Sequence, residues 1–597
     1  MSVAYLRPRV PPCRLAALLC ALVSLVGCLA SPVAAQDATW EAWQIENLRA
    51  FARLYGQIRF FHPSEAVSEV DWNTLAVFGA GEMLKASPAG WLRRSLETMF
   101  LPLAPTLRLY GVGEAAPDPT ADWPPRDDLL TAAWQHRGFG FGEVDLYRSA
   151  RVLRPRDPLL FDVFPELGEV VDRELGGGLR AVSPLVLLSD GERTYGGRRP
   201  DAVVVQDELE ILDPVANMGA YNVNLRLGTA TVAWNVLRHF YPYSVDADWD
   251  ALLVELLESS LDAGEERAFY RELKRLAARL DDGQADVAHA RLDADRSLPP
   301  VAVGWIEDRV VVTASEADGV AAGDVVVRVD RIPAEDLVRE QEELVSGSPQ
   351  RQRARALATF AVGQEGTLVR LALERGGKPL EAEVRRDRRE PLEPPARPAV
   401  EKLENGVYYV DLRRAGAGRI REMLPELAAA PGVVFDLRGE AAGGSHTVLH
   451  HIIGEPVLSA PWSVPGVIRP DGEQVTWLDL DRWRLEPREP RLAGRAVFLA
   501  DARAVGYAES ILSIVEHYRL GDVVGRATAG ADGTVNAVTL PGSFRLTYTG
   551  TRVLRHDGSR FHGLGVEPTV PVAVTMVGVR EGRDEDLEKA LERVGRH

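Results

Sequence analysis

The chain has 597 residues, which is too many for one hydrophobic core and corresponds to about three to five domains at roughly 150 residues each. Hydrophobic residues make up 46% and charged residues 26%, as in soluble globular domains, and this excludes a disordered chain and a polytopic membrane protein. The net charge is −18 and the sequence has no long basic stretch, which argues against a nucleic-acid partner.

Residues 1–35 are predicted to be an export signal. They begin with several arginines and continue into an apolar run, residues 15–26, that is too short to span a bilayer. Two processing sites compete: Val33-Ala34-Ala35 fits cleavage by signal peptidase, whereas Leu25-Val26-Gly27-Cys28 resembles a lipobox that would place a lipid anchor on Cys28. All three cysteines lie in this leader, so the mature chain has no internal disulfide and no thiol nucleophile. We expect a protein of the periplasm, or one anchored at the cell envelope only through that lipid.

Residues 36–215 are predicted to form a helical and irregular β-containing module, and residues 216–296 a second helical module. The second module partly repeats residues 40–100, because each copy has helical periodicity, an aromatic-Pro stop and then Asp-Trp, where the Asp suits a helix N-cap. The segment between the copies is rich in Pro, Gly and Asp and has β-like runs such as Ala202-Val203-Val204-Val205. The aromatic residues of both copies are expected in the core.

Residues 297–388 resemble a PDZ domain. Gly323-Asp324 is followed by alternating valines, then by a helix and a pair of strands. A PDZ domain binds an extended peptide as an added strand and holds the chain end with backbone N–H groups. Gly323 and Asp324 are therefore candidate peptide-binding residues. An ordinary β-rich linker domain is the alternative interpretation of this segment.

Residues 389–398 are rich in Pro and predict a linker. Residues 399–580 alternate between β-like and helical runs, which favours a mainly parallel sheet with helices on its faces. One of the helices is predicted over residues 444–453, and a charged helix ends the chain at 581–597. The expected fold class is thus multidomain α/β, with helical N-terminal modules, a PDZ-like β domain and an α/β core.

Three spaced motifs in this core carry a family resemblance. Residues 434–439, 498–510 and 524–530 together resemble the tail-specific, or carboxy-terminal-processing, serine peptidases, and they are most similar to the tricorn-like branch. The resemblance extends over residues 224–575, with helical module, PDZ-like domain and peptidase core in the family's order. It implies a strand that leads into a helix, with a serine nucleophile at the turn between them.

The resemblance also implies which side chains are lost. Residues 503–509 fit the nucleophile motif except at the serine position, which is Gly506 and has no side chain that could attack. The general base of tricorn-like members is the His of an Asp-Gly-His turn. The matching turn, residues 282–284, ends in Gln284, and an amide does not titrate.

Three further elements of the family's site are the lysine that some members use, the acidic member of the triad and the oxyanion hole. Some members use a Lys at the position of Ala531, and no Lys lies within residues 403–588, so a Ser-Lys pair in the core is excluded. The acidic third member of the triad, expected within residues 562–567, is not identified. Backbone N–H groups need no particular side chain, so those of Gly439 and Tyr507 are candidates for an oxyanion hole.

Two rescue hypotheses concern neighbouring side chains. Ser510 lies one helical turn after the nucleophile position and would point the same way. His446 and His450 are four residues apart, would share one face of a helix, and are weak candidates for a metal site with His451 or Asp436. No Glu in a metalloprotease spacing accompanies them, and no cofactor is implied.

Two functional hypotheses follow from these residues. In the first, the chain is a non-catalytic member that binds protein or peptide segments, above all C-termini or unfolded segments, in the cell envelope. In the second, it is an active serine-type endopeptidase that uses residues not identified from the sequence. The double loss at Gly506 and Gln284 favours the first hypothesis.

Overall fold

The computed structural model describes residues 40–85, 90–121, 123, 129–140, 146–195, 222–243, 248–393 and 397–595. The predicted export signal, Cys28 and the run 202–205 lie outside these residues. The chain divides into two compact units, Met1–Ala42 and Trp43–His597, and the second contains the site described below. None of the helices in the described ranges is long and apolar enough to cross a membrane.

Two groups of helices correspond to the two predicted copies. The first group is α1 (Ala42–Phe61), α2 (Trp72–Lys85) and α3 (Trp91–Phe100); the second is α4 (Val223–Phe240), α5 (Trp249–Asp262) and α6 (Glu266–Ala278). The predicted Asp caps are confirmed, since Asp71 accepts the N–H of Thr74 at 3.1 Å and Asp248 accepts that of Ala251 at 3.0 Å. Because α2 packs against α4, the two copies share one helical core.

The segment between the copies contributes short strands. They are β1 (Arg108–Gly111), β2 (Leu130–Arg137), β3 (Arg148–Arg154), β4 (Val170–Gly176), β5 (Leu179–Pro184) and β6 (Leu187–Ser189). Strands β1, β5 and β4 form a small antiparallel sheet of their own. Most of the described residues between the two helical groups thus lie in short strands and the turns between them.

The next segment is an antiparallel β domain with three helices. Its elements are β7 (Asp286–Ala288), α7 (Ala290–Ala294), β8 (Arg296–Ser297), β9 (Val301–Ile306), β10 (Arg309–Ser315), β11 (Val325–Val329), β12 (Ile332–Pro333), α8 (Ala334–Glu342), α9 (Pro349–Ala358), β13 (Gly363–Gln364), β14 (Leu368–Arg375) and β15 (Lys378–Arg385). The main sheet has the order β15-β14-β11-β10-β9. Alternating valines of β10 and β11 point into one core with α8 and α9, and α9 packs beside the edge strand β9.

The last third of the chain is built on a six-stranded sheet. Its strands are β16 (Val400–Lys402), β17 (Tyr408–Asp411), β18 (Gly432–Asp436), β23 (Arg495–Ala500), β24 (Asp522–Gly525) and β28 (Val570–Pro571), in that order across the sheet. Every pairing is parallel except β16 with β17. Helices α10 (Ala417–Ala429) and α11 (Tyr507–Tyr518) cover one face. The C-terminal α13 (Glu585–Val594) covers the other, which explains why the strands are apolar on both sides.

A further sheet connects the beginning of the chain to this core. The remaining elements are β19 (Val457–Leu458), β20 (Trp462–Val467), β21 (Thr476–Asp479), β22 (Arg484–Leu485), β25 (Val535–Thr539), β26 (Arg545–Thr549), β27 (Arg552–Val553) and α12 (Met576–Arg580). Strand β2 pairs with β3 and β6 on its own side and with β20 of the core, and β20 also pairs with β21 and β27. The sheet thus crosses from residues 36–215 into residues 399–580.

Candidate functional site

Gly506 occupies the sharp turn between strand β23 and helix α11. Its backbone has φ 55° and ψ −112°, a left-handed conformation that glycine adopts without the cost that a side chain would bring. Apart from the adjoining residues, a Cβ atom added at Gly506 would have one neighbour within 4 Å, Nε2 of Gln284 at 3.9 Å. The space that a serine side chain would take is therefore open, and Gln284 faces it.

The pairing of strand β7 with strand β26 positions Gln284 beside Gly506. Strand β7 follows it directly and pairs with β26, with Asp286 opposite Thr547. The buried carboxylate of Asp282 accepts hydrogen bonds from the N–H and the hydroxyl of Thr549, both at 2.6 Å. Nε2 of Gln284 donates to the carbonyl oxygen of Gly533 at 3.0 Å, while its Oε1 is buried and has no hydrogen-bond partner in the described structure. An amide held in this way can offer hydrogen bonds but cannot remove a proton.

Glu509 fastens the turn to the neighbouring loop. Its fully buried carboxylate accepts the N–H groups of Gly530 and Ala531, both at 2.7 Å, and that of Gly506 at 3.3 Å, as well as the hydroxyl of Thr528. Burial raises the pKa of Glu509. This set of bonds keeps the start of α11 and the loop 528–531 in a fixed relation, although no nucleophile is present.

Ser510 is buried and lies away from the open space beside Gly506. Its hydroxyl donates to Asp532 Oδ1 at 2.7 Å, it is only 5% exposed, and it lies more than 4 Å from the Cβ position of Gly506. Asp532 is itself buried, and its Oδ2 has no hydrogen-bond partner in the described structure. Burial, and then the charge of Glu509, raise the pKa of Asp532 to about 7. Sequence analysis missed Asp532, whose signal was its place directly after Ala531.

The two candidate oxyanion donors differ. The N–H of Tyr507 opens helix α11 and has no acceptor among the described residues, as expected for the first turn of a helix. The N–H of Gly439, by contrast, donates to the carbonyl oxygen of Leu437 at 2.8 Å. The expectation for Gly439 is therefore wrong in this conformation, because the turn after β18 directs its donor back onto the chain. One of the two donors is available.

The structure does not bring the weak metal candidates His446 and His450 together. Both lie on a 3-10 helix, Ser445–His451, in place of the predicted α-helix, and with three residues per turn positions four apart do not share a face. His446 Nδ1 bonds to the hydroxyl of Tyr507 at 2.5 Å, and His450 Nδ1 to the carbonyl oxygen of Glu486 at 2.6 Å. Within the described ranges, no group of three or more His, Cys, Asp or Glu side chains is arranged to hold a metal ion.

Gly323 and Asp324 are engaged inside their own domain. The side chain of Asp324 is 1% exposed and forms an ion pair with Arg375 at 2.6 Å, and Gly323 donates its N–H to the carbonyl oxygen of Val312 at 2.8 Å. Gly323 also lies against Arg580 of α12. Neither residue is free to bind a peptide, so the expectation that they hold one is wrong for this conformation.

The region expected to supply the third triad member holds His562. Its ring stacks on Tyr243 with 3.8 Å between centroids, and its Nε2 is 3.2 Å from the hydroxyl of Tyr241. Burial lowers the pKa of His562, so the ring is neutral at pH 7. No acidic residue within 562–567 bonds to Gln284 in the described structure, and the third member stays unassigned.

Comparisons with known proteins give one family match and several similar solved structures. Among curated proteins, none is similar to the chain. Similar solved structures include mature CPAF, with 13% identity over 64% of this chain and 97% of that chain and a TM-score of 0.47. The photosystem II D1 C-terminal processing protease has 17% identity over 62% and 97% and a TM-score of 0.37. The tricorn protease has 14% identity over 62% and 36% and a TM-score of 0.30. Residues 406–572 match the family model described as Peptidase family S41, so this part of the chain is similar to the tail-specific peptidases.

Proposed function

We propose that the chain is an exported, non-catalytic member of its family that binds the ends or unfolded segments of other proteins at the cell envelope. One observation carries the proposal: Gly506 and Gln284 face each other across the open space beside Gly506, here called the cleft, with 3.9 Å from the Cβ position to Nε2. Hydrolysis by this family's chemistry needs a nucleophile and a general base at those two places. Neither residue offers one.

The frame around the two positions supports binding. The bonds of Glu509 keep the turn closed, the N–H of Tyr507 is unpaired among the described residues, and the space beside Gly506 is open. An unpaired N–H at the start of a helix attracts a carbonyl or carboxylate oxygen. A peptide group placed there would be held without being cleaved.

The β domain supplies the rest of the proposed binding surface. We take residues 297–388 as a PDZ-like domain and the whole assembly as tricorn-like. Strand β9 is an edge strand with one partner, β10, and helix α9 lies beside it. An extended peptide would add as a strand to the free edge of β9, alongside α9, and would leave Gly323 and Asp324 in their internal bonds.

Export and lipidation are part of the proposal. The leader would be removed before Gln36, or the chain would be cut before Cys28 and lipidated there. Palmitate labelling together with mass spectrometry of the mature N-terminus separates these outcomes. A mature protein that begins at Met1 in the cytosol would contradict export.

The function itself is tested on the purified full-length protein. We expect no labelling by a fluorophosphonate probe, which needs an activated serine hydroxyl, and no cleavage of an unfolded protein. We expect saturable binding of that same unfolded protein. Cleavage by the wild-type chain would overturn the proposal.

An active serine-type endopeptidase is the second candidate, and the Ser510–Asp532 bond of 2.7 Å is the observation that favours it. A carboxylate with a pKa of about 7 beside a hydroxyl has the composition of a base and a nucleophile. The burial of Ser510 speaks against access to a substrate. Labelling that disappears in Ser510→Ala would establish this second candidate.

A further inference from the structure

Helix α9 of the PDZ-like domain begins directly beside the vacant cleft. Its cap residue Ser348 donates its hydroxyl to the carbonyl oxygen of Ala529 at 2.7 Å, and Gln350 donates Nε2 to the carbonyl oxygen of Thr528 at 2.9 Å. These carbonyl groups belong to the loop 528–531 that Glu509 holds against the Gly506 turn. The side chains in the first helical turn of α9 therefore lie next to the chain turn at Gly506.

Arg351 is the residue in this first turn that faces the loop before Gln284. Its Cγ is 3.4 Å from the Cβ position of Gly283 and 3.0 Å from that of Gly347. A Cβ at Gly283 would also meet Cβ of Ala531 at 2.6 Å, so a side chain there is excluded. The two glycines leave room for the stem of Arg351 between the PDZ-like domain and the cleft.

The guanidinium of Arg351 has no ion-pair or hydrogen-bond partner within the described ranges, and its Nε is buried. The other arginines of α9 are paired, Arg353 with Glu342 and Arg355 with Asp286. Burial, and then the charge of Arg355, lower the pKa of Arg351 to about 10, and more distant carboxylates act in the opposite direction. A half-buried cation without a partner is costly, and a bound anion would remove that cost.

We propose that Arg351 is a carboxylate-binding site, and that it takes the terminal carboxylate of the protein chain bound beside α9. The inference rests on the proposed function. A guanidinium holds a carboxylate through two parallel hydrogen bonds, which an ammonium does not reproduce. A terminal carboxylate is present on every protein chain, so this site would recognise chain ends whatever their sequence.

The test uses the full-length protein and three fluorescent peptides with one apolar sequence. The first peptide ends in a free carboxylate, the second in an amide, and the third in an amide with an internal Glu. We expect the free acid to bind about 10- to 100-fold more tightly than the amide, the range of one charge-assisted pair. Arg351→Gln should abolish this ratio and Arg351→Lys should reduce it. The control Arg339→Gln, on the exposed face of α8 where Arg339 pairs with Asp336, should keep it.

Failure of the inference alone can be distinguished from failure of the proposed function. Equal binding of acid and amide by the wild-type chain, or an unchanged ratio in Arg351→Gln, overturns the inference and leaves the proposed function standing. Binding of the Glu-containing amide as tight as the free acid, lost in Arg351→Gln, supports the site but assigns it to acidic side chains. If neither the peptides nor an unfolded protein bind, the proposed function and the inference both fail. A thermal unfolding curve of each variant shows that it is folded.

Discussion

At the scale of single residues, the proposed loss of catalysis at Gly506 and Gln284 can be tested by restoring both side chains. We expect the double variant Gly506→Ser, Gln284→His to react with a fluorophosphonate probe and to cleave an unfolded protein. Each single variant should do neither, because a hydroxyl without a base and a base without a hydroxyl are both inert. Since the N–H of Gly439 is turned onto Leu437, we expect weak activity. Loss of one oxyanion donor typically lowers kcat by about 100- to 1,000-fold.

The backbone conformation at position 506 determines how much folding free energy is lost when glycine is replaced by serine. A side chain at φ 55° costs about 1–3 kcal/mol of folding free energy. Gly506→Ala carries the same strain without a hydroxyl and is therefore the matched control for Gly506→Ser in denaturant unfolding. A double variant that is folded and still unreactive would show that the site has lost more than two side chains.

Asp532 predicts an unusual pH dependence of stability. Its pKa of about 7 in the folded chain is above its ordinary value of 3.8, so the stability that it contributes is full below pH 4 and is lost as the pH rises through 7. Asp532→Asn keeps an acceptor for Ser510 and removes the charge. We expect the variant to be more stable than the wild type at pH 8, on the order of 2–4 kcal/mol, with little difference at pH 4.

Urea unfolding at several pH values measures this difference. Asp557→Asn, at an exposed position whose carboxylate bonds locally to Ser559, is the control and should leave the pH profile unchanged above about pH 5. Parallel profiles for Asp532→Asn and the wild type would mean that Asp532 is ionised in the folded chain.

Motif spacing revealed some site residues and not others. Gly506 and Gln284 were predictable because each stands in a short pattern whose other members are kept. Arg351 and Asp532 were not predictable. Each was singled out because it has a buried polar atom without a hydrogen-bond partner, and the sequence does not show which polar atoms are left unpaired. The misassignment of Gly439 has a similar cause, because the direction of one N–H depends on a local turn.

At the scale of elements, Glu509 joins helix α11 to the loop 528–531. We expect Glu509→Gln to destabilise the chain by about 2–4 kcal/mol, because an amide has one acceptor oxygen where the carboxylate serves four donors. Hydrogen exchange should increase at Gly530 and Ala531 first. Glu516→Gln, on the same helix and paired with Arg555 near the surface, is the control. Unchanged exchange in the loop would show that the turn is held by other contacts.

Hydrophobic periodicity predicted whether an element is a helix or a strand wherever the element buries its side chains in a regular pattern. The alternation of apolar runs predicted the parallel sheet, and Asp-Trp predicted the starts of α2 and α5. The segment 444–453 differed because its start is Gly444, a left-handed residue without a capping side chain, and a tight 3-10 turn follows. Whether an α-helix or a 3-10 helix forms here depends on contacts with Tyr507 and the segment 486–490. These contacts cannot be read from the local sequence.

At the scale of the whole molecule, a buried charge network fixes helix α13 to the core. Asp586 is 2% exposed and accepts two hydrogen bonds from Arg526, both at 2.9 Å, and one from Arg438 at 3.1 Å. Asp586→Asn removes the negative charge that balances these two arginines. We therefore expect the free energy of unfolding to fall by about 3–5 kcal/mol. Glu588→Gln, on the exposed side of α13, should change stability by less than about 1 kcal/mol. Equal effects of the two substitutions would contradict the role of the network.

The sheet that crosses from residues 36–215 into the core has a consequence for biosynthesis. Asn536 Nδ2 donates to the carbonyl oxygen of Phe139 across 397 residues of chain, beside the pairing of β2 with β20. A ribosome adds about 5–20 residues per second, so β2 waits roughly 15–70 s for its partner β20, whose Val467 pairs with His136. During that interval the growing chain carries an open pairing edge, the kind of surface that aggregates. Strand β2 therefore completes its pairing only after the chain has been synthesised as far as Val467.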